Sequence, residues 1–235
     1  MRGRRARHVV DVLRAGPGDR ITVGLLRGPT GDAVVREASP ELVLLSVNLA
    51  GVPPPPSPVS LLLALPRPKI LRKVLQAVAA MGVKRLALVG TYRVEKSYFG
   101  SPLLAPEAIA AELRLGLEQG KDTVPPDVSI HRYWKPFVED ELDAIFPPGP
   151  GARLVAHPGA PGLPGPVRPA RGPAVIAIGP EGGFTGYEAT TLAARGFAPF
   201  SFGPRPLRVD VAVPFAVAQV ELWLRGSNPG QPDPE

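Results

Sequence analysis

Cysteine is absent from the 235 residues, which removes disulfides, thiolate zinc sites, iron–sulfur clusters and cysteine nucleophiles together. Histidine is scarce: His8, His131 and His157 stand far apart, without the close spacing of metal-ligand pairs, so no metal site is expected. No apolar run approaches the roughly 20 residues needed to cross a bilayer. The opening stretch MRGRRARHVVDVLRAG lacks the continuous apolar core of a secretory signal. A cytoplasmic protein without a membrane partner is the expectation. Two phosphate-binding signatures are also missing. Neither GxGxxG nor GxxxxGK[ST] occurs, so a Rossmann oxidoreductase or a P-loop NTPase would lack its usual cradle.

What is present is a chain long enough to bury a core unaided. Its net charge is +6 and its pI near 10.0, a balance that favours a polyanionic partner but would also follow from an arginine-rich genome. The 32 prolines fall mostly between periodic segments and serve as loop punctuation. Residues 1–50 contain short apolar or alternating runs (DRITVGLLRG, GDAVVREAS, ELVLLSVNLAG) separated by glycine turns, the pattern of a small β-rich domain. GVPPPPSP at 51–58 is a stiff linker that can join neither a sheet nor a helix interior.

From 59 to 226 strand and helix signals alternate. VSLLLAL, KRLALVGT, VSIHRYW, ARLVAHPG, AVIAIGP and APFSFG are strand candidates. Among the helices, ILRKVLQAVAAMG places Ile70, Val74, Ala77, Val78 and Met81 on one face, with Arg72, Lys73 and Gln76 elsewhere. APEAIAAELRLGLEQG opens with Glu107 and closes with Gly120, both suited to those ends. PFVEDELDAIF, TGYEATTLAARG and VAVPFAVAQVELWLRG complete the set, with a Pro/Gly-rich loop over 158–173 and a tail over 227–235. Continuous apolar strands alternating with helices predict an α/β architecture, a mostly parallel sheet covered on both faces. Ligands of such sheets bind beyond the carboxyl ends of the strands.

Two glycine bends stand at such ends, IGPEGG and SFGPRPL, about twenty residues apart. A lone GPEGG is as well explained by a tight turn that needs positive φ. A pair carries more weight, because a missing Cβ lets backbone N–H and C=O groups approach a planar ligand such as adenine. Neither bend holds a lysine, which points to a ligand without a polyphosphate.

The stretch IGPEGGFTGYEATTLAARGFAPFSFGPRPLRVDVAV resembles the carboxyl-terminal signature of the RsmE family of 16S ribosomal RNA uridine-N3 methyltransferases, members of the SPOUT class. ARHVVDVLRAGPGDRITV is similar to that family's amino-terminal segment, and ILRKVLQAVAAMGVKRLALVGT and LGLEQG fall where it places its first two catalytic-domain helices. The resemblance implies a small PUA-like, RNA-binding β domain, a SPOUT domain whose carboxyl-terminal segment is threaded into a trefoil knot, and a homodimer. It also implies S-adenosylmethionine as cofactor, and ribosomal RNA or the small ribosomal subunit as partner. The alternative is an RNA-binding protein that keeps the fold without the activity.

Carried over position by position, the resemblance puts Ile178, Gly179, Pro180, Glu181, Gly182, Gly183, Phe202, Gly203 and Leu207 around the methyl donor. Glu181 would act through charge or, equally, cap the following helix. Arg208 would orient a phosphate or stabilise a developing anionic base, and Asp210 would accept the N3 proton. An Arg208–Asp210 ion pair that only fixes the loop is the competing reading. Here the family's RTETA reads RVDVA: Val209 and Val211 replace hydroxyl residues and Asp210 a longer glutamate, removing hydrogen-bond partners and shortening the carboxylate's reach. RNA contacts are expected from TYRVEKSYFGSP and from Arg2, Arg4, Arg5 and Arg7, for which a merely solvated tail is the equal alternative. In the former, Tyr92, Arg93, Lys96, Tyr98 and Phe99 mix cations with aromatic rings. On the final helix, Phe215, Val220, Leu222 and Trp223 suit either a dimer face or the core.

Overall fold

The computed structural model describes residues 1–163 and 172–226. The expected tail over 227–235 and part of the expected 158–173 loop lie outside the described residues.

The first 51 residues build an antiparallel sheet in the order β1-β2-β3 from β1 (Arg20–Gly24), β2 (Thr30–Ala38) and β3 (Val43–Gly51). Helix α1 (Arg4–Arg7) runs into a π-turn over His8–Val12 and lays Ala6 and Val9 on Val35 and Val43. The terminal ammonium of Met1 donates to the Val43 carbonyl at 2.8 Å. The arginine-rich opening is therefore a docked helix.

The second sheet comprises β4 (Val59–Ala64), β5 (Arg85–Val89), β6 (Asp127–His131), β7 (Ala152–Ala156), β8 (Ala174–Ile178) and β9 (Ala198–Phe200), in the order β6-β5-β4-β8-β7-β9. Every neighbouring pair is parallel. The period of two along β4 decides which layer each leucine joins. Leu61 and Leu63 face α2 (Pro68–Ala80), α3 (Pro106–Gly120) and α7 (Val209–Gly226), through partners such as Leu75, Leu113 and Val213. Leu62 faces the other way, onto Phe137, Leu142 and Leu192. That second layer consists of α4 (Trp134–Pro136), a π-turn at Phe137–Glu141, α5 (Leu142–Ile145) and α6 (Gly186–Ala194).

Three local expectations are corrected. In α2 the buried face is Leu71, Val74, Leu75, Val78 and Ala79, while Ile70, Ala77 and Met81 are only half-buried. The helix is covered on two sides, by α3 and α7, so its apolar stripe is broader and rotated. Helix α3 does not end on Gly120 as its left-handed residue: Lys121 takes that conformation, with φ 51°. Gly116 and Gly120 serve close packing instead. A Cβ on Gly116 would collide with the Gln76 carbonyl, and one on Gly120 would sit 2.5 Å from that of Ala80. Finally, the helix expected over PFVEDELDAIF is divided by the π-turn, which lets Phe137 and Leu142, five residues apart, reach one apolar cluster.

Because all six strands are parallel, one sheet edge collects every strand exit: Leu65–Arg67, Gly90–Arg93, Arg132–Tyr133, His157, Gly179–Phe184 and Ser201–Arg208. The opposite edge carries the small sheet. There Lys84, just before β5, donates to the Asp122 carboxylate and the Val124 carbonyl. Thr123 in turn receives the Arg27 N–H at 2.7 Å and donates its hydroxyl to the Gly28 carbonyl at 2.6 Å.

Candidate active site

Strand β4 feeds β5 and β6 on one side, and the chain then crosses β8 to reach β7 on the other. The direction of winding thus reverses between β4 and β8, and the crevice above their exits is where open parallel sheets hold ligands. The first glycine bend leaves β8 there. Ile178 is buried beneath it. The Gly183 N–H donates to the Pro180 carbonyl at 2.7 Å, and Gly183 adopts φ 71° with open space where a Cβ would stand. Gly179 is confined: a Cβ would lie 3.0 Å from the Phe184 nitrogen.

Thr185 then starts α6 with a reciprocal cap. Its side chain accepts the Glu188 N–H at 3.3 Å, while the Glu188 carboxylate accepts the Thr185 N–H at 2.7 Å. Glu188 is 2% exposed, and its other oxygen accepts the Tyr92 N–H at 2.7 Å. One buried carboxylate thereby joins the β8 bend to the β5 exit. The Thr-x-x-Glu spacing of FTGYEA was the available sign of it. Glu181 does not cap this helix; it stands 3.7 Å from Arg67 Nε, beyond the β4 exit.

The β5 exit covers the bend. Arg93 donates to the Gly182 carbonyl and, at 3.5 Å, to that of Gly183. Tyr98 and Phe99 pack partly against the core, with Arg132 over the Phe99 ring at 5.6 Å. Tyr92 and Lys96 project into solvent. Thr91 Oγ1 is buried beside this exit without a hydrogen-bond partner.

The second bend leaves β9, beyond the β7 exit. The Phe200 carbonyl accepts the His157 N–H at 2.9 Å, and the Ser201 N–H reaches the Pro161 carbonyl at 2.8 Å. The Ser201 hydroxyl donates to the Gly203 carbonyl at 3.1 Å and accepts the Gly203 N–H at 3.2 Å. Gly203 has φ 127° and open space around it. Phe202 lies edge-on to Phe200 and Phe215, at 5.7 and 6.0 Å between ring centroids. Leu207 is half-buried.

Arg208 is 72% exposed, with Nε 3.4 Å from Asp210 Oδ1. Asp210, in the first turn of α7, is 6% exposed, and its Oδ2 accepts from Lys73 Nζ at 2.9 Å. The Lys73 hydrogen bond and the charges of Arg208 and Lys73 hold the Asp210 carboxyl below its ordinary 3.8 against the opposing effect of burial. The two cations thus favour the ionised form of Asp210. Its Oδ1 is buried with no hydrogen-bond partner. Lys73 escaped the sequence reading because a cation on the polar face of a helix is ordinarily solvated.

One sheet edge thus brings together the residues of both bends, Arg93, Arg208 and Asp210. It does not bring the amino-terminal arginines. Arg4 pairs with Glu118 of α3, and Arg2 bridges to Leu42, both at the far edge.

Residues 53–221 match the family model described as an RNA methyltransferase domain. Over 230 residues the chain is 30% identical to a ribosomal RNA small subunit methyltransferase E of Treponema pallidum, covering 93% of this chain and 84% of that one. The chain belongs to the RsmE family of RNA methyltransferases. Its backbone is similar to the ribosomal RNA small subunit methyltransferase E of Neisseria gonorrhoeae bound to S-adenosyl methionine, with TM-score 0.73, 20% identity and coverage of 95% of this chain and 90% of that one. A methyltransferase of Legionella pneumophila in complex with bound SAM is similar too, with TM-score 0.68, 24% identity and coverage of 93% and 88%. At these identities the two structures establish the shared RsmE-type fold. Among the described residues no helix is long and apolar enough to cross a membrane, and no cluster of His, Asp or Glu could hold a metal ion.

Proposed function

We propose that this protein is an S-adenosylmethionine-dependent methyltransferase acting on N3 of a uridine in small-subunit ribosomal RNA. The observation that carries the reading is the placement of both glycine bends at the exit edge of one parallel sheet, in a member of the RsmE family. When bound, S-adenosylmethionine supplies a methyl group on a sulfonium sulfur, open to displacement by a nitrogen lone pair. The bends fit such a donor. Gly183 and Gly203 hold positive φ with free space about them, so main-chain groups are reachable. Ile178, Pro180, Phe202 and Leu207 offer apolar walls, and Glu181 a carboxylate at the rim.

The remaining chemistry belongs to this chain's own residues. Uridine N3 must lose its proton before its lone pair can attack. The exposed Arg208 guanidinium favours the resulting anion electrostatically. Asp210, fixed by Lys73, positions Arg208, and the N3 proton passes to solvent base in an equilibrium that the Arg208 guanidinium favours. The shortened RVDVA segment is compatible with this division, which asks of Asp210 an anchor and not a reach. The second reading, an RNA-binding protein without activity, draws on the same ion pair. Incubating the protein with donor and transcribed small-subunit RNA separates the two: methyl incorporation supports the enzyme, and donor binding without incorporation supports the alternative.

We further infer a division into an RNA-binding PUA-like domain at 1–50, a linker at 51–58 and a SPOUT domain at 59–226 with a knotted carboxyl-terminal segment. The return of α7 from the outer strand β9 to pack on α2, β4 and β8 supports the threading. A cytoplasmic homodimer is proposed on the same footing. Val211, Phe215 and Leu222 are 42, 42 and 70% exposed, and at spacings of four and seven they form one apolar stripe along α7.

A further inference from the structure

A cleft of about 1150 Å³ opens between the amino-terminal helix, strand β1 and the carboxyl-terminal half of α3. Its charges are unevenly engaged. The acids have partners: Asp19 accepts the Gly16 N–H at 2.8 Å, Glu118 is paired with Arg4, and Asp122 with Lys84. The cations Arg5, Arg20, Arg114 and Lys121 line the cleft, are exposed, and have no side-chain hydrogen bond or ion pair among the described residues. Between them Leu13 and Leu26 are 51 and 49% exposed. Unpaired cations around an apolar floor complement an irregular RNA strand, with phosphates on the rim and an unstacked base on the leucines.

Location adds the decisive constraint. Helix α3 returns the chain from the exit of β5 to the start of β6, so its last turns lie at the edge opposite both glycine bends. Its 15 residues span about 22 Å. A nucleotide in this cleft cannot be the one at the same protomer's donor site.

We propose that the cleft is an exosite for a single-stranded or irregular segment of ribosomal RNA remote from the methylated nucleotide. This rests on the RNA-substrate reading above. Each phosphate neutralised there releases counterions, so the cleft contributes to affinity in a salt-dependent way while leaving the chemistry untouched.

The test is the variant combining Arg20→Glu, Arg114→Glu and Lys121→Glu, with the milder Arg114→Gln/Lys121→Gln pair in reserve should the first fail to fold. Fluorescence anisotropy with transcribed small-subunit RNA should show affinity falling on the order of tenfold. The slope of log affinity against log salt should shrink by about two, at roughly 0.7 per lost single-strand contact. KM for that RNA should rise with kcat kept, and donor affinity should match that of the unaltered protein. A short RNA holding only the target uridine and its nearest neighbours should react equally with both proteins. Unchanged RNA affinity and salt slope would overturn the proposal. So would an equal loss with the short RNA, which would make the cleft the target's own seat. A loss confined to assembled subunits would point to a protein partner and reject it as well. If the unaltered protein shows the RNA-binding signature but transfers no methyl group, the exosite stands and the enzymatic reading fails.

Discussion

Gly183 illustrates how a single position can be tested. With φ 71° and free space around it, a side chain there meets no neighbour but forces the backbone, at roughly 1–2 kcal/mol for an ordinary residue and more for a β-branched one. Gly183→Val should weaken donor binding by about tenfold or more in calorimetry. Gly182→Val should weaken it less, because its Cβ meets only the flexible Arg93 side chain, at 3.0 Å; the reverse order would contradict the bend's role. Asp210→Asn should leave donor affinity largely intact and lower turnover. Unchanged turnover would remove Asp210 from the mechanism. The glycine bends were legible in the sequence because a missing Cβ is a property of the residue itself. The Lys73–Asp210 bond was not, since it joins residues 137 positions apart, a proximity that only the packing of α7 on α2 creates. The Arg93 contact was illegible for a related reason: its guanidinium reaches two carbonyls of a bend 89 and 90 positions away.

Among the elements, the elements around β7 offer a pH test. Asp143 of α5 accepts from Arg153 of β7 at 2.7 Å and from Arg195, the cap of α6, at 2.8 Å. The Arg153 hydrogen bond leads in holding its carboxyl below 3.8, with Arg195 adding to it against desolvation. A carboxyl whose native pKa lies below its unfolded value stabilises the fold above the unfolded value and loses that contribution as pH falls through the native one. Asp143→Asn should therefore unfold at lower urea concentration near neutrality, the gap closing as pH drops below 3.8. A gap independent of pH would show that charge is not its source. Between α2 and α3 the requirement is steric. Gly116→Val places atoms against the Gln76 carbonyl and should cost about 1–3 kcal/mol in the same measurement. The strands and the long helices could be read from their periods. The π-turn at Phe137–Glu141 and the rotated stripe of α2 could not, because they answer to neighbouring elements, which local periodicity does not encode.

For the whole molecule, an all-parallel sheet sorts the chain into two edges, the two glycine bends at one and the small sheet at the other. The alternating order of strands and helices already implied the parallel sheet. Which edge the small sheet occupies depends on the loop around Thr123 gripping the β1–β2 turn, a contact no local pattern announces. The stripe on α7 gives the corresponding prediction: Phe215→Glu with Leu222→Glu should convert a dimer to monomers in sedimentation equilibrium, whereas an unchanged mass would place any interface elsewhere. The central claim, that the bends hold a methyl donor for transfer to RNA, is met most directly by nucleoside mass spectrometry of small-subunit RNA incubated with the protein and S-adenosylmethionine. The account predicts 3-methyluridine at a single site, formed in lower yield by the Gly183→Val protein when the donor is limiting. Absence of new methylated nucleosides, or methylation at another atom, would contradict it.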